Sequence, residues 1–106
     1  MGLVEKMVLE RFRELIMRRV RLHSLILFGS RARGDADPDS DMDVVVVLEG
    51  GLDDEIRDYV SDCAWEAGFQ YGMVVVPIVL AREEWEKGPE RLSLLFQAVK
   101  AEGILV

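Results

Sequence analysis

The sequence predicts a small α/β domain (in the looser sense, α+β) with a mixed sheet of three to four strands flanked by helices. Three observations lead there. The chain has 106 residues, half of them hydrophobic, which suits one core and leaves little room for a second domain. Apolar residues recur at helical spacing in some segments and as short, unbroken β-branched runs in others, and the two kinds alternate along the chain. Gly, Pro and Asp punctuate the boundaries without any repeat or low-complexity tract, so residues 1–106 read as a single domain.

Each element has its own justification. Val4, Met7, Val8, Phe12, Leu15, Ile16 and Val20 fall three to four apart, an amphipathic helix over residues 3–20. Ser24-Leu25-Ile26-Leu27-Phe28 is a short apolar run stopped by Gly29, a buried strand. Residues 29–41 are polar and Asp-rich, a loop with room for one helical turn. Met42 to Leu48 is a second strand, and its β-branched run predicts burial on both faces before Gly50-Gly51 ends it. Asp53-Asp54-Glu55 put acid in the first turn of a helix, where the dipole favours it. Ile56, Tyr59, Val60, Cys63, Ala64 and Ala67 form that helix's apolar stripe, and Gly68 is expected to end it. Met73 to Leu80 is a third strand, and Pro77 sends it to a sheet edge or a bulge because proline cannot donate to a ladder. Arg82–Lys87 and Glu90–Ala101 read as short helices, the second with Leu92, Leu95, Phe96 and Val99 inward. Gly103 stops it, leaving Ile104-Leu105-Val106 as an apolar tail. Trp65 and Trp85 lie in helical segments and are assigned to packing.

Charge narrows the function. The net charge is −7 and the pI about 4.7, which weighs against a general DNA or RNA binder and against a template-reading polymerase. Residues 1–34 hold eight Lys/Arg against three Glu, and residues 35–106 hold five against seventeen Asp/Glu. The single cysteine, Cys63, allows no intramolecular disulfide and fits a reducing compartment. With no apolar run of membrane-span length and no secretory signal, a cytoplasmic protein without a membrane partner is expected.

The chemistry concentrates between Leu27 and Val44, in Gly29-Ser30-Arg31-Ala32-Arg33-Gly34 followed by Ser40-Asp41-Met42-Asp43. A strand running into Gly29 lets another group approach the backbone closely, and amides at the turn after it suit an anion. Arg31 and Arg33 add positive charge. Asp41 and Asp43 are two residues apart, on one face of a strand about 7 Å from each other. Carboxylates so placed repel unless a cation lies between them, and oxygen-only ligands favour Mg²⁺ or Mn²⁺ shared with substrate phosphates. Other motifs fail. Gly34 is followed by Asp35 where a P-loop needs Lys, and the Asp35, Asp37, Asp39, Asp41, Asp43 alternation lacks the Gly and Glu of a calcium loop in every register. A merely solvated acidic loop leaves unexplained why Asp43 interrupts the start of an apolar strand.

Gly29-Ser30 and Asp41-x-Asp43 leading into a Val-rich strand resemble the signature of DNA-polymerase-β-type nucleotidyltransferases. The fuller string resembles the minimal nucleotidyltransferases of prokaryotes, among them the antitoxins paired with HEPN-domain toxins. That resemblance implies the polymerase-β-like nucleotidyltransferase fold and transfer of a nucleoside monophosphate, AMP from ATP or the equivalent from another NTP, to an acceptor hydroxyl. It further implies Asp41 and Asp43 as catalytic metal ligands and Gly29 and Ser30 on the triphosphate. Arg31 and Arg33 either assist there or pair with the Asp-rich loop, and Ser40 belongs to the same loop, chiefly shaping it. Such an acceptor would sit on a small helical HEPN-type partner, while apolar surface on the last helix suits either that hetero-complex or a homodimer. The family's third carboxylate usually stands on a following strand, and Met73–Leu80 carries none. The alternative is therefore a catalytically weak or silent module that binds nucleotide and neutralises or scaffolds a partner. Glu83 and Glu84 lie just beyond that strand and are weaker candidates for the missing ligand.

Overall fold

A computed structural model of the chain describes residues 2–34, 37, 40–89 and 93–106, with the Leu95 side chain excepted. Asp35, Asp39, Leu92 and the expected helix start at Glu90 lie outside the described residues. The elements run α1 (Leu3–Met17), β1 (Leu22–Phe28), α2 (Ser30–Arg33), β2 (Met42–Leu48), α3 (Asp54–Phe69), β3 (Val75–Ala81), α4 (Arg82–Lys87), α5 (Leu94–Glu102) and β4 (Ile104–Leu105). The four strands form one mixed sheet in the order β3-β2-β1-β4, with β1 antiparallel to β2 and β4, and β2 parallel to β3.

Strand alternation sorts the core into two layers. Leu25, Leu27, Met42, Val44, Val46 and Leu48 face α1 and α3, where Val8, Leu9, Phe12, Ile16, Val60 and Ala64 meet them. Ile26, Val45, Val47 and Leu80 face the other way, against Phe96 and Val99 of α5 and Trp85 of α4. β2 is thus buried on both faces, as its β-branched run requires.

Pro77 does place β3 at an edge, and the register shows why it is tolerated. The Met42 amide donates to the Val74 carbonyl, so even-numbered residues of β3 turn their polar groups toward β2. Pro77 is odd-numbered, and its missing N–H falls on the free side. On that side Arg57 of α3 donates to the Val79 carbonyl at 3.3 Å, covering part of the open edge.

Four expectations need correction. α1 ends at Met17, before Val20, because the amides of Arg19 and Val20 both turn back to the Ile16 carbonyl. Gly68 does not end α3. It lies within the helix, its carbonyl accepts from the amides of Tyr71 and Met73, and a Cβ there would stand 2.0 Å from the Met73 carbonyl oxygen. Its glycine serves close approach of the return strand. Trp65 is not a packing residue: it points away from the stripe Val60, Cys63, Ala64 and Ala67, is 68% exposed, and touches only a partner on its own helix, Phe69, among the described rings. The terminal apolar segment, expected as a tail, is edge strand β4 over Ile104–Leu105. Its backbone pairs with β1, and the Val106 amide donates to the Leu25 carbonyl at 2.9 Å.

Candidate active site

The site is built where β1 ends, α2 turns and β2 begins. Gly29 leaves β1 at φ +76°, ψ −156°, a conformation open to glycine and costly for other residues. A Cβ at this position would also sit 2.9 Å from Oδ2 of Asp43. Glycine is therefore required twice, for the backbone angle and for the approach of the carboxylate. The pairing Phe28↔Asp43 in the antiparallel ladder produces that approach, setting the first strand's exit beside the second carboxylate.

α2 gives each residue of Ser30-Arg31-Ala32-Arg33 a different direction. Ser30 opens the turn, half-buried, and its carbonyl accepts from the amide of Gly34, which closes the turn in the left-handed conformation. Ala32 packs on the core. Arg33 points outward and meets Glu102 at 3.5 Å, an exposed pair that exchanges easily for another anion. Arg31 turns inward and is only 8% exposed. Its Nε and Nη2 donate to the Ser40 carbonyl at 3.1 and 2.7 Å, and its Nη1 lies 3.5 Å from a Glu5 carboxylate oxygen. Ser40 itself is loop-forming: its hydroxyl accepts from the Asp37 amide at 3.1 Å, and its amide donates to the Asp37 carbonyl.

Asp41 is exposed, one residue ahead of β2, and Asp43 is half-buried within it, on the same face as Val45 and Val47. Among the described residues neither carboxylate forms an ion pair. Burial, and then the neighbouring Asp41 charge, hold Asp43 above the ordinary carboxylate value. Among the described residues no group of three or more His, Cys, Asp and Glu gathers in ligating range. Two converging carboxylates without a closed cage suit a divalent cation whose remaining ligands are water and phosphate. His23, whose Nδ1 lies 3.1 Å from the Ser24 hydroxyl, takes no part.

β3, the strand beside the pair, carries no carboxylate at that level. Val76 of β3 stands opposite Asp43 on the same face of the sheet and is 36% exposed, and the next residue toward Asp41, Val74, is 54% exposed. Glu83 and Glu84 lie beyond Ala81 at the far end of β3, roughly 17 Å along the strand from Val76. Glu84 is engaged there, accepting from the Ala81 amide. A cleft of about 750 Å³ at that end is lined by Glu49, Glu83, Glu84 and Glu86, with Arg82 tied to Glu49 and Glu86, a poor setting for a triphosphate. Sequence reasoning missed Glu5. The signal was available, since Glu5 falls on the row of Leu9, Phe12 and Ile16, where a carboxylate is buried and needs a partner.

A family model for the nucleotidyltransferase domain matches residues 8–97. The chain belongs to the nucleotidyltransferase family. A Methanocaldococcus jannaschii protein assigned as a protein adenylyltransferase is 41% identical to this nucleotidyltransferase domain over 69 residues, covering 65% of this chain and 64% of that protein. The match thus spans less than two-thirds of that relative's length. Two solved structures share the fold. One is a toxin–antitoxin complex with AMP-PNP, 21% identical, with a TM-score of 0.66 over 95% of this chain and 70% of that one. The other is an MNT antitoxin in complex with the tri-AMPylated HEPN toxin of Shewanella oneidensis, 19% identical, with a TM-score of 0.58 over 97% and 71% of the two chains.

Proposed function

We propose that this nucleotidyltransferase domain transfers AMP from ATP to a hydroxyl on a partner protein of the small helical HEPN kind. The observation that carries the reading is the close approach of the Asp43 carboxylate to Gly29, which joins a phosphate-suited turn to a carboxylate pair in one site. The names of the relatives support the acceptor class: one is assigned to protein adenylylation, and the other holds an AMP-modified HEPN toxin.

Roles follow from position. The Gly29-Ser30 turn receives the triphosphate with its amides and the Ser30 hydroxyl, and exposed Arg33 adds positive charge beside that turn. Asp41 and Asp43 would hold Mg²⁺ or Mn²⁺, and such an ion would supply neutralisation of the phosphates and polarisation at the α-phosphorus. In the transfer, the acceptor oxygen bonds to the α-phosphorus, the bond to the bridging oxygen breaks, pyrophosphate leaves, and the hydroxyl proton passes to solvent. The acceptor comes from outside the domain. Among the described residues the surface beside the carboxylates toward β3 is Val76 and Val74, apolar shelf without proton-accepting groups.

That same shelf favours a second reading, a silent module that binds nucleotide and holds its partner without modifying it. The test uses ATP labelled at the α-phosphate with the purified domain and a HEPN-type protein from the source organism. Label on the partner with wild type, and none with Asp41→Asn or Asp43→Asn, supports transfer. A stable complex with no label supports the silent module.

A further inference from the structure

Arg31 was expected among the phosphate contacts, yet its guanidinium is the most enclosed charge in the described structure, with a side chain 7% exposed. Two of its N–H groups converge on one carbonyl, that of Ser40, and a third faces Glu5. Ser40 directly precedes Asp41, and Met42, directly after it, is tied to β3 through the Val74 carbonyl at 2.8 Å. Asp41 therefore hangs between two backbone anchors, one of them supplied by Arg31. Glu5 comes from the first turn of α1, and its other oxygen, Oε2, is buried without a hydrogen-bond partner among the described residues. A carboxylate accepts that environment when it balances an adjacent cation. The balanced pair also removes Arg31's charge from the field a triphosphate would feel.

We infer that Arg31 is a positioning residue for the carboxylate pair: clamped by Glu5, it fixes the Ser40 carbonyl and hence the point at which Asp41 leaves the loop, and it makes no contact with nucleotide. The inference rests on the reading above for its link to catalysis, and on the geometry alone for the clamp. It adds to the site a residue of α1, 36 positions upstream of Asp41, so that the helix packed behind the sheet determines where the carboxylate stands.

The discriminating substitution is Arg31→Lys, which keeps the charge and loses the fork. Amide exchange at Met42, followed by NMR, accelerates in Arg31→Lys and in Glu5→Gln, and the double variant adds little to either because the two act through one clamp. Mn²⁺ binding to the same variants, read from the paramagnetic signal of the free ion, weakens by roughly tenfold or more, as for residues that orient a metal ligand. ATP affinity measured without divalent cations stays at the wild-type value. Loss of cation-free ATP affinity in Arg31→Lys with Mn²⁺ binding intact would make Arg31 a phosphate ligand and overturn the inference. Unchanged Met42 exchange in both single variants overturns it as well, whatever the protein binds. If wild type binds neither Mn²⁺ nor ATP, the functional reading fails while the exchange experiment still decides the clamp. Glu5→Gln, nearly isosteric, supplies the answer if Arg31→Lys does not fold.

Discussion

At the scale of single residues, the glycine of the turn and the second carboxylate constrain each other. Gly29→Ala forces a Cβ into both a forbidden angle and the Asp43 carboxylate, and should cost about 1–3 kcal/mol of stability, read by urea unfolding. A wild-type midpoint would show that the turn relaxes freely. Asp43 has the opposite sign. Its proton is held more tightly in the folded chain than in the unfolded one, so in metal-free protein its ionisation opposes folding. Between the unfolded and folded values the native state binds more protons, and stability falls as pH rises; above both, the penalty is constant. With chelator at neutral pH, Asp43→Asn should therefore melt above wild type, whereas added Mn²⁺ should raise the melting temperature of wild type and not of the variant. A variant that melts lower in chelator would mean that Asp43 has a native partner. Much of this was legible in the sequence, because a carboxylate at the head of a Val run and a glycine at the end of an apolar strand are locally anomalous. The inward turn of Arg31 was not, since nothing in Ser30-Arg31-Ala32-Arg33 says which arginine faces the core until Ala32 is seen packed on it.

At the scale of elements, β2 was readable to its ends because burial on both faces demands an unbroken apolar run, and β3's edge position followed from Pro77. β4 was not, because two residues carry no periodicity and owe their strand pairing to the neighbouring β1 backbone. α3 shows the limit of residue-type reasoning. Its tryptophan falls outside the apolar stripe, and Trp65 and Phe69 stand together on the exposed side. Trp65→Ala should change stability by no more than about 0.5 kcal/mol, while Phe12→Ala, fully buried on α1, should cost about 3–5 kcal/mol. Comparable losses from the two would move Trp65 into the core. β3 carries the element-scale prediction for function. Val76→Asp places a carboxylate opposite Asp43 on an exposed position, and should tighten Mn²⁺ binding by roughly tenfold through added ligand charge. Weaker binding in that variant would show that Val76 does not border the metal seat.

At the scale of the whole molecule, the architecture divides its labour between the two ends of one sheet. The Gly29 turn, Asp41, Asp43 and Val76 gather where β1 ends and β2 and β3 begin, while the acidic cleft by Glu49 and Arg82 lies at the other end. Among the described residues no helix is long and apolar enough to cross a membrane. The net charge of −7 opposes long nucleic acids but not a cation-bound nucleotide or a basic protein, which fits an acceptor presented by a partner. Such an acceptor, and the chemistry done to it, stand at the centre of the account. The most direct measurement follows α-phosphate label from ATP, with Mg²⁺, onto a HEPN-type protein of the source organism that binds the domain, in the presence of wild type or Asp41→Asn. Label retained on the partner after denaturation, released as AMP by phosphodiesterase and absent with Asp41→Asn, is the predicted result. An unlabelled partner in a demonstrably formed complex would contradict it.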